Sequence, residues 1–157
     1  MTKARKDFAE QLAAVFEVSM YKLTLLGSHL PKTADGLTPQ QLRLLSILSF
    51  AGGPLTMATA AARVGVAPGT LTEGVKRLVK GGLIDRRRAE SDDRIVELSL
   101  TPAGQQVMDD IRRHRVEFFR EVCAQLDPDA RRALIESHQT IADTYSRIID
   151  NKLGGAA

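Results

Sequence analysis

Apolar residues recur along this chain with two different periods, and the change from one to the other falls near its centre. From Pro68 to about Lys80 they stand at Leu71, Val75, Leu78 and Val79, the i, i+4, i+7, i+8 spacing of one helix face. Pro68 suits a first helical position, where its missing N–H costs nothing, and the Gly81-Gly82 pair ends the run. Past Leu83, Ile84 and three consecutive arginines the period falls to two. Val96, Leu98 and Leu100 alternate with Ile95, Glu97 and Ser99, as in a half-buried strand, and the polar residues 89–93 before them predict a hairpin tip. A short Ala-rich helix is expected over 56–64, capped by Thr56 and separated from Pro68 by Gly65. Two short helices joined by a Gly-containing turn, then a basic hairpin, make a winged helix-turn-helix. Such a helix fits the DNA major groove, and an arginine-bearing tip suits phosphates or the minor groove.

Longer helices flank this middle. The first is expected over 3–27, with Phe8, Leu12, Val15, Phe16, Met20, Leu23 and Leu26 on one stripe, followed by a loop over 28–36. Thr38, Pro39 and Gln41 supply a cap, a first-position proline and a capping box for a helix carrying Leu42, Leu45, Ile47, Leu48 and Phe50, which Gly52-Gly53-Pro54 ends. Leu55 is expected to form a short strand pairing with the wing. Thr101-Pro102 and Asp127-Pro128 repeat the cap-then-proline start. The helix from Pro102 to about Gln125 carries Val107, Ile111, Phe118, Phe119 and Val122, and the last carries Leu134, Ile141, Tyr145, Ile148 and Ile149. The fold class is therefore mainly α with a small β-hairpin wing. Its divisions are an N-terminal helix and loop (1–36), a winged helix-turn-helix (37–101), C-terminal helices (102–153) and a disordered tail (154–157). The terminal helices carry more apolar surface than the middle can cover. A two-fold dimer through the first, fifth and sixth helices buries it; a monomer folded on itself is the alternative.

Composition narrows the function classes. Hydrophobic residues make up 43% and charged residues 26%, an ordinary globular balance, and a net charge of +3 does not by itself argue for nucleic acid. Residues 66–101 contain seven basic and six acidic side chains, so a positive face requires that they be sorted in space. The single cysteine, Cys123, excludes an intrachain disulfide and suits a reducing cytoplasm. No apolar run reaches the length of a membrane span, and residues 1–6 lead into no signal-type apolar core. There is no Walker loop, GxSxG, HExxH or cysteine pair, so no catalytic residue and no cofactor is expected. His114 and Glu117 at i, i+3, with Cys123 nine residues on, are the nearest approach to a metal site, but no second histidine is close in sequence, and no metal is expected.

The segments TPQQLRLLSIL, TMATAAARVGVAPGTLTEGVKRLVKGGLIDRR and SDDRIVELSLTPAG, in this order and spacing, resemble the MarR family of bacterial transcription regulators over about residues 37–110. The resemblance implies a homodimer joined through its terminal helices and bound to a pseudo-palindromic double-stranded operator. It further implies a repressor released by a small phenolic or lipophilic anion.

The first turns of a recognition helix reach base edges. Here they carry Pro68, Gly69, Thr70, Thr72 and Glu73, with Lys76 and Arg77 suited to phosphates. Family members often have Ser where Ala67 and Gly69 stand and Arg where Glu73 stands. A carboxylate does not bind phosphate, so Glu73 either accepts from a cytosine amino group or pairs with a neighbouring base. Pairing with Arg77 at i+4 is the expectation. In the wing, Arg86, Arg87 and Arg88 are expected on flanking phosphates. Ser91, Asp92, Asp93 and Arg94 resemble the family's aspartate-arginine pair, which implies Arg94 in the minor groove, braced by Asp93. An effector of the implied kind would meet Met20, Tyr21, Thr24, His29, Arg43, Phe50 and Arg115, with a ring cradled by the apolar members and a carboxylate held by a histidine or arginine. The acidic Glu73 and the near balance of charge leave open a winged-helix interaction module that does not bind DNA. A metal- or thiol-sensing regulator of the same fold is the other alternative.

Overall fold

The computed structural model describes residues 7–25, 30–89 and 92–153. The first-helix ends expected at Lys3 and Gly27, the tail 154–157, His29 and Ser91 lie outside them, as does the side chain of Thr24. The elements run α1 (Phe8–Leu25), a 3-10 turn (Lys32–Ala34), α2 (Pro39–Ala51), β1 (Leu55–Thr56), α3 (Met57–Val64), α4 (Pro68–Lys80), β2 (Ile84–Ala89), β3 (Asp92–Leu100), α5 (Pro102–Ala124) and α6 (Pro128–Leu153).

The helix starts follow their capping signals. Thr38 Oγ1 accepts from the Gln41 N–H (3.3 Å) and Gln41 Oε1 accepts from the Thr38 N–H (2.8 Å), which completes the capping box of α2. Thr56 Oγ1 accepts from the Thr59 N–H (3.1 Å), and Asp127 Oδ1 from that of Ala130 (2.9 Å). The segment expected as loop contains one ordered turn, because the Ala34 N–H reaches the Pro31 carbonyl and the Ala34 side chain is buried.

The three strands form one antiparallel sheet in the order β1-β3-β2, with Leu55 opposite Leu98. The chain packs as two compact units that divide inside α5, between Arg115 and Val116. In the first unit, Leu44, Leu45 and Leu48 of α2, Ala60, Ala61 and Val64 of α3, Leu71, Val75 and Leu78 of α4, and Ile84 and Leu98 of the sheet share one core. Val107, Met108 and Ile111 on the first half of α5 join it. Val79, counted from its spacing as part of the apolar face of α4, is 40% exposed instead. It lies too far round the helix from the Leu71, Val75, Leu78 line to reach the core. In the second unit, Arg131 Nε donates to the Cys123 (2.8 Å) and Leu126 (2.9 Å) carbonyls and so closes the turn between α5 and α6. No helix among the described residues is long and apolar enough to cross a membrane.

The start of α5 is clipped to the turn that follows α4. Gly82, at φ 69, takes the left-handed conformation that lets the chain leave α4. Thr101 Oγ1 donates to the Gly82 carbonyl (2.6 Å) and accepts from the Gly104 N–H (3.0 Å), while the Thr101 N–H reaches the Leu83 carbonyl (3.1 Å). Gly104 is packed so close to Leu83 that a Cβ would overlap the Leu83 carbonyl oxygen, a backbone atom with no freedom to rotate away. Gly104→Ala is therefore expected to destabilise the fold by about 1–3 kcal/mol. Urea unfolding measures this, and an unchanged midpoint would mean that the helix can retreat at no cost.

Candidate nucleic-acid interface

Gly65, at φ 81, turns the chain between α3 and α4, and its N–H caps the Ala61 carbonyl (2.9 Å). Leu71, Val75 and Leu78 then fix the rotation of α4 by burying one side. The opposite side, along Gly69, Glu73, Lys76 and Lys80, faces outward. Thr70 and Arg77 are exposed beside it, and the half-buried Thr72 donates its hydroxyl to the Pro68 carbonyl (3.1 Å).

Glu73 is paired, but with a different partner from the one expected. Its Oε1 lies 2.7 Å from Lys76 Nζ, and Arg77 contributes only its more distant charge. Lys76 at i+3 and Arg77 at i+4 are both within reach of Glu73 on the helix surface, and it is the Lys76 ammonium that makes the contact. The hydrogen bond from Lys76 and the Lys76 charge hold the Glu73 carboxyl below the usual carboxylate range, with a smaller contribution from Arg77.

Register divides the arginines of the wing. Arg86 lies opposite Leu98 and Arg88 opposite Val96, so both share the sheet face that carries the core. Arg87 lies opposite Glu97 on the other face and pairs with Asp85 (3.1 Å). The hairpin ladder extends further than the alternation indicated, since Ala89 pairs with Asp92. Between Arg88 and Ala89, however, the register jumps from Val96 to Asp92 on β3. Residues 93–95 therefore form a bulge, the kind of irregularity that re-aims a side chain. Arg94 sits in this bulge rather than at the tip. Asp92 Oδ1 accepts from the Arg94 backbone N–H (2.9 Å) and so fixes the main chain at Arg94. Asp93 and Arg94 are both exposed.

The bulge brings Arg94 back toward the helices. Arg86, Arg94, Ile95 and Val96 line one side of a cleft of about 570 Å³, and Pro68, Gly69 and Thr72 of α4 line the other. Thr56, Met57 and Ala58 at the start of α3 complete it. Arg86 and Arg94 also line a second groove along the wing with Arg87, Arg88, Asp93 and Val96. The cleft thus has guanidinium groups above an apolar floor beside the start of α4, an arrangement suited to a phosphate chain lying between helix and wing. Thr70, Glu73, Lys76 and Arg77 stand on α4 outside the cleft lining. The three residues at the start of α3 were not among the sequence candidates; the Thr56 cap, which puts the start of α3 beside the strand it leaves, was the available signal.

A second, smaller cleft of about 210 Å³ lies between α2 and α5, lined by Ser46, Ser49, Phe50, Gln105, Met108, Asp109, Ile111, Arg112 and Arg115. It brings together Phe50 and Arg115 of the effector candidates. Met20 and Tyr21 are exposed on α1, and Arg43 is exposed on α2. Among the described residues no three His, Cys, Asp or Glu side chains gather as a metal-ligand set, and Cys123 is half-buried.

Residues 35–95 match the model of the MarR family. A curated relative described as an uncharacterized HTH-type transcriptional regulator, YdgJ of Bacillus subtilis (strain 168), is 27% identical over 105 residues. That match covers 67% of this chain and 63% of YdgJ, so the chain spans less than two thirds of this relative's length. RV1404 from Mycobacterium tuberculosis has a similar structure, with a TM-score of 0.76 and 26% identity over 91% of this chain and 97% of that one. A cysteine-to-serine mutant of MarR from E. coli has the same fold, with a TM-score of 0.66 at 22% identity over 83% and 94% of the two chains. With a basic wing folded against the start of α4, residues 35–95 of this chain are similar to the MarR family and share the winged helix-turn-helix fold of its solved relatives.

Proposed function

We propose that this chain is a dimeric, sequence-specific DNA-binding transcription regulator of the cytoplasm, acting as a repressor that a small phenolic or lipophilic anion releases. The observation that carries the reading is the convergence of Arg86 and Arg94 on the start of α4. The near balance of charge in residues 66–101 is resolved by this sorting. Arg86 and Arg94 line the cleft beside the start of α4, and Arg88 lines the groove along the wing with them. Asp85 and Glu97 point to the other face of the ladder, where Asp85 pairs with Arg87, although Arg87 also reaches the groove along the wing. The recognition helix enters the major groove with Pro68, Gly69, Thr70, Thr72, Glu73, Lys76 and Arg77 toward the bases and adjacent phosphates, and Arg94 takes the neighbouring minor groove.

The terminal helices support dimerisation. On α1, Phe8, Val15, Phe16 and Tyr21 are each more than 60% exposed, and on α6 Tyr145, Ile148 and Ile149 are open to solvent. Faces of this size mark association surfaces rather than ordinary monomer surface. The cleft between α2 and α5 supports the effector, since Phe50 and Met108 offer apolar contact and Arg112 and Arg115 a carboxylate partner. The reading is tested by equilibrium binding to a labelled duplex over a series of salt concentrations, because phosphate contacts release counterions and make affinity fall steeply as salt rises.

A further inference from the structure

Glu73 poses a chemical problem. It stands on the outward midline of α4, directly opposite Leu71, Val75 and Leu78, where an unpaired carboxylate would be repelled by DNA. The structure gives it Lys76 as a partner at 2.7 Å, with both side chains about two-thirds exposed (69% and 66%). A pair so open to water does little to hold the helix together. Gly69, one turn earlier on the same line, has no side chain, and the space where a Cβ would stand is open. The Glu73–Lys76 pair is the place on this face where a carboxylate and an ammonium group stand side by side.

The pair presents a hydrogen-bond acceptor beside a donor. In the major groove a C·G pair presents the complement: the cytosine N4 donor beside the guanine O6 acceptor, about 2.9 Å apart because they bond to each other. An A·T pair also offers a donor beside an acceptor, but its outer neighbours are wrong. The adenine N7 lone pair would face the carboxylate, and the thymine methyl would face the ammonium group. In C·G the outer neighbour on the ammonium side is guanine N7, a second acceptor.

We propose that Glu73 and Lys76 act as one unit that reads a C·G pair in each half-site, the Glu73 carboxylate accepting from the cytosine amino group and the Lys76 ammonium donating to guanine O6 and N7. This rests on the DNA-binding reading above and adds the base that the helix selects. The two charges cancel, so the unit reads sequence and leaves the phosphates to the arginines of the wing.

The test is selection from a random duplex pool with the full chain and its Glu73→Gln and Lys76→Met variants. Single-duplex binding then follows, with thermal unfolding to establish that each variant is folded. The wild type is expected to enrich C·G at one position of each half-site. Changing that pair to A·T should weaken its binding on the order of 10- to 100-fold, against less than about threefold for Glu73→Gln. Glu73→Gln should also steepen the salt dependence by about one ion per site, because Lys76 is released to a phosphate. Unchanged discrimination at every position in Glu73→Gln overturns the proposal and leaves DNA binding intact. If the wild type enriches no sequence at all, the DNA-binding reading falls and this proposal falls with it.

Discussion

Arg94→Ala is expected to weaken duplex binding by about 10- to 100-fold at physiological salt, the loss of one charge-assisted contact worth roughly 1.5–3 kcal/mol. The expectation comes from where the bulge puts this residue. The skipped register between Arg88 and Ala89 takes Arg94 out of the ladder, Asp92 anchors its backbone N–H, and its side chain joins Arg86 over the cleft beside Pro68, Gly69 and Thr72. Arg87→Ala is the matched control, with the same charge removed from the same hairpin but from the face where Asp85 already holds it. It should change affinity by less than about threefold, since an exposed ion pair contributes little and its loss exposes nothing buried. Fluorescence anisotropy on one duplex compares the two. Equal losses would mean that the wing acts as a diffuse cation and that the bulge aims nothing.

The second large effect is expected at α1. Phe16 is 62% exposed in the single chain and lies on the same stripe as Phe8, Leu12 and Val15. Burying a phenylalanine contributes about 1.5–3 kcal/mol, and a two-fold interface counts it twice. Phe16→Asp removes that contribution and adds a carboxylate that must be desolvated, so the dimer dissociation constant should rise by at least about 100-fold. In sedimentation at micromolar concentration the wild type should run as a dimer and Phe16→Asp as a monomer. The variant should also lose its preference for an inverted repeat with half-sites roughly 34 Å apart, while retaining weak binding to one half-site. A wild type that runs as a monomer would remove the two-fold arrangement altogether.

What could be read from the sequence was what local chemistry determines. Thr38 with Gln41, Thr56, and Asp127 with Pro128 announce their helix starts because a cap and its acceptor lie within one turn of each other. The alternation through Leu98 announces β3, and Leu55 its short partner strand, because one face of the sheet is buried. What could not be read depends on register or on close approach between distant segments. Three consecutive arginines look equivalent until their opposite residues are known, and only then does Arg87 separate from Arg86 and Arg88. The bulge that moves Arg94 from the tip leaves no mark in composition. Glu73 had charged partners available at both i+3 and i+4, and side-chain geometry selected Lys76. Gly104 resembles any glycine in a helix until Leu83 packs against it. Phe50 and Arg115 meet because the first half of α5 packs into the winged unit, a contact between segments far apart in the chain.

The central claim is that the sorted arginines of the wing engage the DNA backbone, and the salt dependence of duplex affinity tests it most directly. Arg86, Arg88 and Arg94 from two chains amount to about six phosphate contacts. Log affinity should therefore fall linearly with log salt with a slope of roughly −5, moving toward roughly −3.5 in Arg94→Ala, which removes one contact per chain. A slope close to zero, or no binding even at low salt, would contradict it and leave a winged helix that serves some partner other than DNA.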